Sequence, residues 1–90
     1  MIDTRRFEMR SKLEEIIRRS EDLVPSETTK MTRELVEHHE FGIALEILCE
    51  QLHEFDARTS PELYTKIREI GEQMHLSSDL WEVLRDSVAE

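Results

Sequence analysis

Apolar residues recur at every third or fourth position along most of the chain, a spacing that predicts amphipathic α-helices. Proline and hydroxyl residues separate the apolar segments and mark helix boundaries. We therefore predict five helices, at about residues 4–22, 27–38, 40–55, 61–74 and 78–88. The apolar–polar alternation of a strand is missing from the sequence. The predicted fold class is all-α, a compact single-domain bundle of about five short helices over residues 1–90.

Each predicted helix has one apolar face that we expect to lie in a shared core. Gly42 and Gly71 lie inside predicted helices, where glycine costs up to about 1 kcal/mol relative to alanine. We predict that both glycines mark close helix crossings. The residues predicted to be buried are Phe7, Leu13, Ile16, Ile17, Met31, Leu35, Val36, Leu45, Leu48, Leu52, Phe55, Leu63, Ile67, Ile70, Leu80, Trp81, Leu84 and Val88.

Local signals predict where individual helices begin and end. Ser26 or Thr28 is expected to cap the second helix. Residues 59–62, Thr-Ser-Pro-Glu, combine a hydroxyl cap with proline in the first turn and predict the start of the fourth helix. His39 follows the second helix, and we expect it to adopt the left-handed conformation that ends many helices.

Charge is distributed unevenly along the chain, whose formal net charge is −9. Residues 1–33 contain eight basic and seven acidic side chains, whereas residues 34–90 contain four basic and fourteen acidic ones. Residues 34–57 contain no Lys or Arg. This balance argues against a nucleic-acid ligand. It is typical either of a surface that favours solubility or of one that attracts a basic protein.

The remaining composition limits the compartment and the kind of partner. A single cysteine permits no internal disulfide, which is typical of a reducing environment. The first twenty residues lack the apolar run of a signal peptide, and no stretch is apolar enough to span a membrane. We expect a cytoplasmic monomer that contacts neither a membrane nor nucleic acid.

Cys49 and His53 lie four residues apart, so their side chains share one face of the third predicted helix. They form a thiolate–imidazole pair, half of a metal site, or a core cysteine beside a surface histidine. A zinc site needs more Cys or His ligands than this stretch supplies. A reactive thiolate needs positive surroundings, and these are negative. We predict the third arrangement, with no metal, no cofactor and no catalytic residue.

Glu46, Glu50 and Glu54 recur at every fourth position of the third predicted helix. We call them the carboxylate ladder. Like charges at this spacing repel each other and weaken an isolated helix. The ladder is either a solvated helix face or a surface that docks a basic partner. The first predicted helix, in which acidic residues balance the arginines, is an alternative interface.

Three stretches of the sequence resemble the MafI-like family of bacterial immunity proteins. They are ELVEHHEFGIALEILCEQLHEFD, SPELYTKIREIGEQM and LWEVL, which together span residues 34–84. The family includes small immunity proteins of contact-dependent growth inhibition systems, the CdiI group. The order and spacing of ELVEH, Ala44-Leu45-Glu46, Leu48-Cys49, Pro61, Gly71 and Trp81 carry the resemblance. His39 departs from it, because this position is usually glycine in the family.

The resemblance implies a protein that binds the C-terminal domain of a cognate toxin, a basic nuclease, and neutralises it without being an enzyme. An adaptor or regulatory module that docks on a different basic protein is the alternative. Phe41 and Phe55 lie near the ladder, and we predict that both belong to the core. The predicted partner-binding residues are Glu37, Glu40, Glu46, Glu50, His53, Glu54 and Asp56.

Overall fold

The computed structural model describes residues 4–88 and places five α-helices in that range. The helices are α1 Thr4–Ser20, α2 Ser26–Glu37, α3 Phe41–Glu54, α4 Pro61–Gln73 and α5 Asp79–Glu82, followed by a 3₁₀ turn at Arg85–Ser87. Within residues 4–88 the only β-type pairing is an isolated bridge between Thr59 and Val88. The prediction of an all-α bundle is therefore confirmed.

The helices enclose one hydrophobic core. α1 packs against α2, α3 and α4, whereas α5 packs across α3 and α4. Leu45, Leu52, Ile67 and Leu84 are fully buried where these helices meet. Burial of each such side chain contributes about 1.5–3 kcal/mol to the free energy of unfolding. The core therefore fixes the position of α5 against α3, which matters for the site described below.

The last helix is shorter than predicted. α5 is a single α-helical turn, and a 3₁₀ turn replaces the helix expected to continue to Val88. The Thr59 amide donates a hydrogen bond to the Ser87 carbonyl at 3.0 Å, and Val88 is extended. Val88 therefore pairs with the buried Thr59, which lies in the segment that connects α3 to α4, and the chain leaves the helical conformation there.

Three apolar side chains predicted to be buried are exposed instead: Phe7 by 65%, Phe55 by 53% and Met31 by 49%. Phe7 lies in the first turn of α1, which is 17 residues long and therefore longer than the helices that pack against it. Phe55 is the C-cap of α3, where the chain turns away from the helix stack. Phe41, by contrast, is buried as predicted.

Met31 is exposed because α2 packs through threonines. Thr28, Thr29 and Thr32 form most of its buried face, together with Val36. The Thr32 hydroxyl donates to the Thr28 carbonyl at 2.9 Å, a bond within the helix that leaves its methyl group free to pack. Small side chains let α2 lie close to its neighbours.

Three helices end in the same way, with a residue other than glycine in the left-handed conformation. His39 has φ 61°, Asp56 48° and His75 59°. At each position the residue's own amide and the next amide bond back to carbonyls of the last turn, the Schellman arrangement. After α2, for example, the Glu40 amide donates to the Leu35 carbonyl at 2.8 Å. The prediction for His39 is confirmed.

The two glycines differ in what surrounds them. A Cβ added to Gly71 would lie 2.3 Å from Cζ3 of Trp81, so the predicted close crossing is confirmed there. A Cβ on Gly42 would meet only Leu76 Cδ2, at an ordinary 3.7 Å. The prediction of a close crossing at Gly42 is wrong, because the nearest neighbour leaves room for a methyl group.

Of the helix caps predicted for α2 and α4, only the one for α4 is confirmed. The Ser60 hydroxyl accepts a hydrogen bond from the Leu63 amide at 3.1 Å and caps α4, as predicted. For α2 the prediction is wrong: Pro25 occupies the N-cap position, and no side chain caps this end. Thr28 lies inside α2, where its hydroxyl donates to Gln51 Oε1 at 3.0 Å.

Candidate functional site

Ion pairs concentrate around Glu15 on α1. Its carboxylate lies 3.2 Å from Arg19, 3.7 Å from Lys66 and 3.8 Å from Arg18. Arg19 also reaches Glu62 at 3.2 Å, which links α1 to α4. The hydrogen bond from Arg19, and then the charge of Lys66, lower the pKa of Glu15 below its ordinary value. This side of the bundle is therefore balanced in charge.

Among the residues that the structure describes, the carboxylates of α3 and α5 have no comparable partners. The other ion pairs within residues 4–88 join Arg10 to Glu14, Arg33 to Glu21 and Arg68 to Glu72. In this part of the chain, no ion pair includes an acidic residue of α3 or α5. The ladder is exposed, so its negative charge is available to a partner.

Helical geometry spreads the ladder around α3. Glu54 follows Glu46 by eight residues, and each residue of an α-helix turns the chain by about 100°. Glu54 therefore lies about 80° around the helix axis from Glu46. Glu54 accepts a hydrogen bond from Gln51 Nε2 at 3.2 Å, and Gln51 in turn contacts α2. Glu46 and Glu50 instead turn towards α5, and His53 joins them on that side.

Together these side chains form one wall of a groove between α3 and α5. The groove has a volume of about 420 Å³. Val83, which forms part of it, is 46% exposed, whereas Leu80 is half-buried. We call this feature the α3–α5 groove, and its lining residues are Glu46, Glu50, His53, Ser77, Asp79, Leu80 and Val83.

The end of α4 and the burial of Trp81 determine how α5 forms the second wall. His75 turns the chain after α4, and the Leu76 amide donates to the Gly71 carbonyl at 3.0 Å. The Trp81 ring then packs on Gly71, where no side chain obstructs it. Burial of Trp81 and Leu84 in the core leaves Leu80 and Val83 on the groove side of α5.

Three of the seven residues predicted to bind a partner line the α3–α5 groove: Glu46, Glu50 and His53. The other four lie outside its lining. Glu37 lines a separate concavity of about 470 Å³ with Arg18 and Arg33. Glu40 is the N-cap of α3, Glu54 is bound by Gln51, and Asp56 accepts a hydrogen bond from the Ser87 hydroxyl at 3.3 Å.

Cys49 and His53 do not form a reactive pair. Cys49 is buried in the core, and burial raises the pKa of its thiol to about 12, so the thiol stays protonated near neutral pH. His53 is exposed. Across residues 4–88 there is no group of three or more His, Cys, Asp or Glu side chains placed to hold a metal ion. The predicted arrangement, a core cysteine beside a surface histidine, is confirmed.

Sequence reasoning missed the contribution of α5 to the groove. Asp79, Leu80 and Val83 were not among the predicted contact residues. Val83 nevertheless carried a signal, because it is an apolar residue outside the inward-facing positions of its helix. The sequence did not indicate which helix α5 packs against, because a helix of one turn is too short to show an apolar periodicity.

None of the helices described between residues 4 and 88 is long and apolar enough to cross a membrane. Comparison of the chain with protein-family models, with curated proteins and with solved structures found no match. The resemblance to MafI-like immunity proteins therefore stays a prediction based on the residues quoted above.

Proposed function

We propose that this protein is a bacterial immunity protein that binds and neutralises a cognate toxin domain, a nuclease, in the cytoplasm. It acts by binding and not by turnover. The observation that carries the proposal is the unpaired negative charge of α3 and α5 beside the ion-paired surface of α1 and α4.

Electrostatics explains why such a surface suits a nuclease. An enzyme that holds phosphates needs a cationic surface, and an acidic helix face is complementary to it. Within residues 4–88, Glu46 and Glu50 belong to no ion pair that docking would have to break. Long-range attraction also speeds encounter, which matters for an inhibitor that must act before the toxin cuts.

Titration of the toxin domain encoded beside this gene tests the proposal. We compare wild type with the triple variant Glu46→Lys/Glu50→Lys/Glu54→Lys, whose folding is checked by circular dichroism. The matched control is Glu8→Lys/Glu27→Lys/Glu69→Lys, which changes the net charge equally at exposed sites elsewhere. We expect the ladder variant to bind at least about tenfold more weakly than the control, with a strong salt dependence in wild type.

The alternative outcomes point in different directions. If both triple variants bind like wild type, the ladder is a solvated face and the interface lies elsewhere, with α1 as the next candidate. If wild type does not bind the toxin domain, the immunity proposal fails. The same acidic surface then favours an adaptor that docks on another basic protein.

A further inference from the structure

We propose that the α3–α5 groove receives one apolar side chain from a basic segment of the partner, flanked in that segment by Lys or Arg. The identity of the partner as a toxin rests on the function proposed above. The chemistry of the occupant rests on the groove itself.

The floor of the groove is apolar. Leu80 is half-buried, and Val83 keeps 46% of its surface exposed although the core lies directly beneath α5. A volume of about 420 Å³ falls in the lower part of the range of roughly 300–1,000 Å³ for ligand pockets. A few anchor residues that fill well-packed concavities supply most of the affinity of a protein interface.

The rim of the groove is negative on both sides. Glu46 and Glu50 project from α3, and Asp79 lies on α5 across the groove. Neither Lys nor Arg is among the lining residues. Lys or Arg beside the anchor would therefore meet unpaired carboxylates as the apolar side chain enters, whereas a phosphate or an acidic peptide would be repelled. Charge complementarity thus selects a basic segment as the occupant.

A second copy of this chain is the competing occupant. Phe7 is 65% exposed and follows Arg5 and Arg6 at the start of α1, so it also presents an apolar side chain beside positive charge. Phe7 of one copy could enter the groove of another either reciprocally, in a two-fold dimer, or head-to-tail, in a ring or open filament. Two copies of a chain with a formal net charge of −9 repel each other, however, whereas a basic segment of another protein is attracted. We therefore assign the groove to a basic segment of the partner and make self-association an outcome of the test.

Two substitutions of equally exposed apolar residues test the assignment. Val83→Ser removes the more exposed of the two apolar side chains in the floor of the groove. Ile43→Ser is the matched control, because Ile43 is also 46% exposed but lies on α3 outside the lining. We expect Val83→Ser to weaken binding of the toxin domain about tenfold and Ile43→Ser less than about twofold. Equal effects of the two substitutions would overturn the proposal.

A peptide probe separates this inference from the proposed function. We use a short lysine peptide with one central leucine, and the same peptide with alanine in its place. Nuclear magnetic resonance titration should show the leucine peptide binding at the groove about fivefold more tightly than the alanine peptide, with the difference lost in Val83→Ser. If wild type discriminates between the peptides but does not bind the toxin domain, the proposed function fails and the assignment of the occupant remains.

Two results would contradict the inference directly. The first is equal binding of the leucine and alanine peptides to wild type. The second is self-association in analytical ultracentrifugation that both Phe7→Ser and Val83→Ser abolish, which would assign the groove to a second copy of the chain.

Discussion

Gly71 shows how a single residue decides the position of a helix. The missing side chain leaves space for the Trp81 ring, whose Cζ3 would lie 2.3 Å from an added Cβ. Trp81 is buried and cannot move aside without disturbing the core. Gly71 therefore sets how closely α5 approaches α4, and through that contact it shapes the α3–α5 groove.

Gly71→Ala is expected to lower the free energy of unfolding by roughly 1–3 kcal/mol, because the added methyl group overpacks the core against Trp81. Gly42→Ala is the matched control, since the same change inside α3 meets only Leu76 Cδ2 at 3.7 Å. The control is expected to be neutral or to stabilise by up to about 1 kcal/mol through helix propensity. Urea denaturation of the three proteins measures both effects, and similar values for the two variants would contradict the packing argument.

α2 and α4 differ in how their first turns are stabilised. Ser60 binds an amide of the first turn of α4 that would otherwise lack a partner, and Pro61 follows in a conformation already suited to a helix. α2 begins after Pro25 without any side-chain cap. Its stability must therefore come from packing, which its buried threonine face supplies through contact with α1 and α3.

Ser60→Ala is expected to lower the free energy of unfolding by about 1 kcal/mol, because the Leu63 amide loses its acceptor. Ser26→Ala is the control, since Ser26 is exposed at the start of α2 and makes no cap bond. Its expected effect is within about 0.5 kcal/mol. Thermal or urea unfolding compares the two serines, and an equal loss in both would show that the cap bond of Ser60 contributes nothing.

For the whole molecule, the separation of paired and unpaired charge has an energetic consequence. Glu50 lies between two like charges, Glu46 and Glu54, and none of the three joins an ion pair within residues 4–88. A surface selected only for stability would place Lys or Arg beside them. A surface that binds a basic partner retains this repulsion until the complex forms.

Glu50→Gln is therefore expected to stabilise the free protein by about 0.5 kcal/mol at low salt, since it removes two repulsive pairs of roughly 0.2–0.5 kcal/mol each. The gain should disappear near 1 M salt, where screening is nearly complete. Glu14→Gln is the control and should lose a few tenths of a kcal/mol, because Glu14 pairs with Arg10 at 2.9 Å. Urea unfolding at several salt concentrations measures both. A destabilised Glu50→Gln variant would show that the ladder is not under repulsion.

Features that depend only on neighbours along the chain could be predicted from the amino-acid sequence. Apolar periodicity predicted an all-α fold and located the first four helices, because three- and four-residue spacing is a property of consecutive residues. The cap at Ser60 and the left-handed turn at His39 were likewise local signals. The carboxylate ladder followed from the spacing of three glutamates on one helix.

Which surfaces meet and which remain exposed depends instead on how the helices pack, and the sequence pattern did not predict it. Apolar periodicity assigned Phe7 and Met31 to the core, but both are exposed. Phe7 lies at the end of a helix where no neighbour within residues 4–88 covers it, and Met31 lies on a helix that packs through its threonines. The same periodicity also extended α5 to Val88, which pairs instead with the Thr59 connector. Val83 and Glu46 are distant from each other in sequence, yet both line the α3–α5 groove. They do so because the packing of Trp81 on Gly71 places α5 beside α3. Such contacts depend on the relative placement of whole helices, which no local pattern encodes.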